Sequence, residues 1–155
     1  MQDTLDFLRN IEQINDGEPL PENALLVTAD VSSLFTVIPQ EEGAKCLEDK
    51  LNTRSNQQVP TSFLIRILNI CNEFNIFNFN GELYQQKIGS GMGSRPTPPY
   101  ANVFMATKID QEILKIAQNL GADGSMSLKL LKRFLDDLFM IFIGSTKKLH
   151  EFSTN

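Results

Sequence analysis

Two acidic residues, Asp136 and Asp137, stand between two strongly apolar runs, residues 128–135 and 138–143. Each run is far short of the roughly 20 apolar residues that a membrane helix needs, and each is long enough for a strand. Two such runs parted by two polar residues predict an antiparallel hairpin with both aspartates at its tip. Adjacent carboxylates within apolar sequence are costly unless water solvates them or a cation neutralises them. The tip therefore either lies in water as a plain turn or holds a metal ion.

Residues 24–29 form a third apolar run, read as a buried strand, and Asp30 closes it. Taken alone, Asp30 is a turn or helix cap. If that strand lies beside the hairpin, Asp30 and Asp136 could share two metals about 3.5–4 Å apart, which would clamp the attacking and leaving oxygens of a phosphoryl transfer. The remaining pattern supplies the scaffold. Leu5, Leu8 and Ile11 predict a short N-terminal helix, and Pro39 opens another in which Ala44, Leu47 and Leu51 share a face. Thr61 or Ser62 is expected to cap a helix through Phe63, Ile67, Leu68 and Cys71. Asn80-Gly81 between apolar-rich runs predicts a tight hairpin. Residues 89–99 read as a Gly-, Ser- and Pro-rich loop, residues 100–118 as a helix, and residues 121–127 as a turn. The order α, β, α, α, ββ, α, ββ predicts an α+β domain, helices packed on a largely antiparallel sheet. The 155 residues suffice for one such domain.

Composition narrows the chemistry. His150 is the only histidine, so a Ser-His-Asp or Cys-His site would have to use it, and a His-rich zinc site cannot be assembled. Cys46 and Cys71 are isolated, which suits two inert thiols in an intracellular chain, nuclear or cytoplasmic. No basic and apolar leader opens the chain, and no run of 18 apolar residues occurs. Chemistry would rest on carboxylates, lysines or hydroxyls, and carboxylates suit magnesium, with manganese as the alternative ion. A phosphate-binding P-loop is excluded, because Gly89-Ser90-Gly91-Met92-Gly93 has no Gly-Lys-Ser/Thr after it. A net charge of −5 argues against nucleic-acid binding by these residues alone.

Three motifs, in order, carry a family resemblance. The segment Thr28-Ala29-Asp30-Val31-Ser32-Ser33-Leu34-Phe35-Thr36-Val37-Ile38-Pro39 resembles the first catalytic motif of reverse transcriptases, and of Penelope-like retrotransposons in particular. The loop from Gly89 to Asn102, with Met92-Gly93-Ser94 and Pro99-Tyr100-Ala101-Asn102, is similar to that group's glycine loop and its continuation. Arg133-Phe134-Leu135-Asp136-Asp137-Leu138-Phe139 resembles its Asp-Asp hairpin. Asp3-Thr4-Leu5-Asp6-Phe7-Leu8 and Phe79-Asn80-Gly81-Glu82-Leu83-Tyr84 match its connecting stretches, so the likeness runs through nearly the whole chain.

The resemblance implies a polymerase palm with incomplete fingers and no thumb, a partial reverse transcriptase domain over residues 1–155. It implies RNA-directed DNA polymerase chemistry, with RNA template, DNA primer and deoxynucleotide as partners and two magnesium ions as cofactors. Asp30 and Asp136 would ligate the metals, Val31 would add its carbonyl, and Asp137 would support the site. Phe35 would exclude a ribose 2′-hydroxyl, and Met92, Gly93, Ser94 and Pro98 would cradle the nucleotide. Without the resemblance, Phe35 is a core aromatic and the glycine loop a connector. Phe134 and Phe35 stand where the family often has tyrosine, and Gly91 where alanine is common. The family's basic fingers region and thumb lie beyond the matched motifs, so the fragment is expected to be inactive in isolation. Two alternatives stay open: a non-catalytic remnant serving as a folded interaction module, and another two-metal phosphoryl-transfer enzyme such as a nuclease.

Overall fold

In the computed structural model, which describes residues 4–154, the three apolar runs become one antiparallel sheet in the order β1-β5-β4. These strands are β1 (Ala24–Asp30), β4 (Ser127–Phe134) and β5 (Asp137–Ile143). The Asp3 of the N-terminal match lies outside the described residues. By contacts the chain divides into two units, residues 4–32 with 111–154 and Ser33–Asp110.

In the first unit β5 is the central strand, so both its edges are paired, and Leu138, Met140, Ile141 and Phe142 are buried. Leu25 and Leu128 flank Phe142, and Val27 and Leu131 flank Met140, all on one face. Leu128 and Leu131 are three apart, a spacing that an unbroken strand would send to opposite faces. A bulge between Leu128 and Leu130 takes up the extra residue and restores both to the core side. Against this face pack Ala117, Ile113 and Ile116 of α6 (Asp110–Leu120) and Phe152 of α7 (Thr146–Thr154). The Phe142 and Phe152 ring centroids are 5.9 Å apart. On the other face Phe7 of α1 (Thr4–Asn15) meets Phe139 edge-on at 5.1 Å.

The second unit holds α2 (Leu34–Val37), α3 (Gln40–Asn52), α4 (Thr61–Glu73), the hairpin β2 (Ile76–Phe79) and β3 (Glu82–Gln85), and α5 (Thr97–Phe104). Asn80 and Gly81 have φ of 53° and 87°, the positive values that a two-residue hairpin turn requires. Helix α3 packs on both α4 and α5. Gly43 makes the α3–α5 approach feasible, because a Cβ there would collide with the Tyr100 ring and hydroxyl.

Several expectations are corrected. Pro60 occupies the cap position of α4 and no side chain caps it, so neither Thr61 nor Ser62 takes that role. The glycine loop ends at Pro96, not Pro99, since proline fits the first helical turn, where its missing N–H costs nothing. The expected helix over residues 100–118 is α5 and α6 joined by a π-helical turn, Met105–Ile109. Asp137 begins β5, so only Leu135 and Asp136 form the hairpin tip. Helices α2 and α7 were not expected.

Two outcomes follow for the α3–α5 contact. Gly43→Ala should destabilise the chain by about 1–3 kcal/mol, the usual cost of overpacking, read by urea denaturation. Burial, and secondarily the charge of Cys46, push the Tyr100 hydroxyl up to about 12. The phenol ionises more easily unfolded, near its ordinary value of 10.0. Its contribution is therefore complete below pH 10 and is lost as pH climbs toward 12. A denaturation series should show this loss of stability, and Tyr100→Phe should blunt it.

Candidate functional site

The β1–β5 register fixes the carboxylates. Asp30 pairs with Asp137, and the Val31 N–H donates to the Asp136 carbonyl at 3.1 Å, carrying the pairing one residue beyond the strands. Residues directly opposite in an antiparallel pair share a face, with Cβ atoms about 4.5–5.5 Å apart. It is thus Asp137, not Asp136, that stands across from Asp30, while Asp136 stands across from Val31. Asp30 and Asp137 are exposed and Asp136 is half-buried. Leu135 takes the first turn position at φ 55°, a strained value for a side-chain-bearing residue. The Arg133 guanidinium donates to the Leu135 carbonyl at 2.8 Å and holds the turn from below.

Like charges directly opposite on a sheet repel. A divalent cation would remove that repulsion, and carboxylate oxygens suit magnesium. Among the described residues no three His, Cys, Asp or Glu groups cluster as a metal site. Asp30, Asp136 and Asp137 are the carboxylates at this end of the sheet, and the register sets Asp30 against Asp137 with Asp136 next along the turn. Cys46 is buried, and burial pushes its thiol above the ordinary value, which opposes thiolate chemistry.

The second unit holds the other sequence-derived residues. The Ser90 N–H donates to the Phe35 carbonyl at 2.6 Å, and Gly89, at φ 75°, lies so close to the Phe35 and Thr36 backbone that a side chain would not fit. Phe35 and the start of the glycine loop are thereby brought together. The Gln40 side-chain amide donates to the Gly89 carbonyl at 2.7 Å. Gly91 lies close against the Asn75 side-chain amide, which would have to shift to admit a Cβ there. Met92 is 72% exposed, Gly93 has φ 87° with open space around it, Ser94 donates its N–H to the Gly91 carbonyl, and Pro98 is exposed on α5.

A buried network was missed by the sequence reading. Ser90 Oγ donates to Asn72 Oδ1 at 2.9 Å and shares a hydrogen bond of 2.9 Å with Thr97 Oγ1, which donates to the Gly91 carbonyl at 2.9 Å. All three side chains are buried. The one signal for it was Asn72, on the buried side of α4 with Leu68.

No protein-family model and no curated relative matches the chain. Its fold, however, matches that of solved telomerase from Candida tropicalis. Over 97% of this chain the TM-score is 0.62 at 17% identity to an apo form truncated from the C-terminal domain, and 0.63 at 14% identity to a second apo structure. The chain spans only 30% and 27% of those two proteins. At this identity the likeness is one of fold alone, an α+β architecture shared with those telomerase structures.

Ser90→Ala should cost about 1–3 kcal/mol, because it leaves a buried Asn72 acceptor unpaired. The same variant should speed amide exchange in residues 89–97, measured by hydrogen–deuterium exchange, with little change in β5.

Proposed function

We propose that this chain is part of the palm of a reverse transcriptase, related to the Penelope-like group, and carries the carboxylates of RNA-directed DNA synthesis. The observation that carries the reading is the register that sets Asp30 against Asp137 with Asp136 tied to Val31. The fold likeness to telomerase supports it at the level of architecture.

In the proposed reaction a primer 3′-hydroxyl attacks the α-phosphate of a deoxynucleotide paired to an RNA template. A phosphodiester forms, a phosphoanhydride breaks, and pyrophosphate leaves. Two magnesium ions, or manganese in their place, would supply charge neutralisation and hydroxyl activation when bound. Asp30 and Asp136 would hold them with the Val31 carbonyl, and Asp137 would fix the geometry of that end of the sheet. Phe35 would lie under the sugar, and Met92, Gly93, Ser94 and Pro98 would form the nucleotide cradle. Such a cradle argues against a nuclease, which has no incoming nucleotide to seat.

The hairpin β2–β3 favours a second reading. Phe79 is 68% and Leu83 74% exposed, and every residue of both strands lies open to solvent. Open apolar surface of this kind is characteristic of interaction sites, so a non-catalytic interaction module is the competing function.

Manganese titration followed by electron paramagnetic resonance separates the two. The palm reading expects binding that Asp30→Asn weakens at least about tenfold, the loss of roughly one charged contact's 1.4 kcal/mol. It also expects a deoxynucleotide to tighten the binding. Manganese affinity that is undetectable, or indifferent to Asp30, would leave the interaction module as the function.

A further inference from the structure

The hairpin β2–β3 is a sheet of only two strands, and every residue of both is exposed. A lone two-stranded sheet is marginally stable in water, and further strands or a covering layer are what steady it. The Gln86 N–H donates to the Asn75 carbonyl at 2.9 Å. Bonded and non-bonded rungs alternate from there, so Phe77 and Phe79 turn their backbone groups toward β3. The N–H and C=O groups of Ile76 and Asn78 therefore point outward, and none of these four has a hydrogen-bond partner among the described residues. Free edges are ordinarily blunted by charge or proline. Residues 74–81 contain neither, whereas β3 begins with Glu82 and is followed by Lys87. On one face Phe77 stacks on Tyr84 at 5.8 Å and Phe79 meets the same ring edge-on at 6.3 Å, all three open to solvent.

The occupant must pair the β2 edge and cover an uncharged aromatic face. Stacked rings also suit nucleobases, but a single-stranded nucleic acid needs a basic track. The charged residues in and beside the hairpin are Glu73, Glu82 and Lys87, two carboxylates against one ammonium. The strand that meets both demands is β2 itself. We propose that the β2 edge pairs antiparallel with the β2 edge of a second copy of this chain, about a twofold axis at Phe77. Ile76 of each copy then exchanges two backbone hydrogen bonds with Asn78 of the other, and all the outward groups are satisfied. No charged side chain stands opposite another in this register, and Phe77 stands opposite its own counterpart. The result is a four-stranded sheet with Phe77, Phe79 and Tyr84 of both copies on one face. Its outer edges are the two β3 strands, where Glu82 and Lys87 supply the charge that keeps an edge single, so the assembly closes as a dimer. The inference does not depend on the carboxylates holding metal, and it names the partner that an interaction module would need.

The test is sedimentation equilibrium of the whole chain from about 1 µM to about 1 mM, a span that covers weak association. A monomer–dimer equilibrium is expected. Phe77→Lys and Phe77→Glu each set two like charges opposite one another at the axis and remove two rings from the joint face, so each alone should weaken dimerisation at least about tenfold. An equimolar mixture of the two variants sets opposite charges at the axis and should restore association above either alone, which a misfolded variant could not do. Leu83→Lys adds the same charge to the exposed opposite face of β3 and should change the dimer constant less than about twofold. Ile76→Pro removes one outward N–H at the first residue of an edge strand, where proline is tolerated, and should also weaken the dimer. A chain that stays monomeric throughout would overturn the proposal and leave the edge to a different protein's strand. Equal losses in Phe77→Lys and Leu83→Lys, a mixture no better than its components, or open-ended oligomers in place of a dimer would overturn it too.

Discussion

The pairing of β1 with β5 is the constraint on which the rest of the first unit depends. Its register places Leu25 beside Phe142 and Val27 beside Met140, and the same register places Asp30 beside Asp137. A slip of one residue would turn Leu25 and Val27 away from α6 and α7. Several kilocalories per mole of apolar burial therefore enforce the position of two carboxylates that contribute nothing to that burial. The core pays no attention to the charge at the strand ends, and the repulsion between Asp30 and Asp137 is tolerated because the apolar rows behind them outweigh it.

The second unit solves a different problem, that of holding a loop rich in glycine. Glycine gives close approach but forfeits backbone order. Order returns through hydrogen bonds: Gln40 to Gly89, Ser90 to Phe35, and the buried chain from Asn72 through Ser90 and Thr97 to Gly91. Satisfied buried networks of this kind rigidify the segment they cross. The consequence for any ligand of Met92, Gly93 and Ser94 is a loop whose base is fixed while its tip stays open.

Much of this was legible in the sequence because it rests on short-range chemistry. The Asn80-Gly81 turn, the apolar run of β1 and the 3.6-residue rhythm of Ile113, Ile116 and Ala117 each carry their own signal. What was not legible depends on tertiary context. Helix α7 has only Leu149 and Phe152 facing the core within a polar stretch, too few to establish a period. The α2 turn follows Ser33 at φ 58°, a conformation that no serine advertises. The bulge at residues 128–130 and the π-helical turn are one-residue adjustments that reconcile local periodicity with packing. At the site, the three carboxylates were visible as residue types, but which of Asp136 and Asp137 faces Asp30 is a matter of register. The turn begins one residue earlier than two adjacent aspartates suggest, because the αL position falls to Leu135.

Net charge is a weaker guide to function than this local geometry. The chain's −5 would repel a nucleic-acid backbone if it acted as one charge, but charges further apart than a Debye length, about 8 Å at physiological salt, scarcely sense each other. The two carboxylates paired at the sheet end make one such local field. At the sheet end a bound divalent ion would invert the sign that an approaching phosphate meets. The local pairing of charges, not the charge total, sets what such a surface attracts.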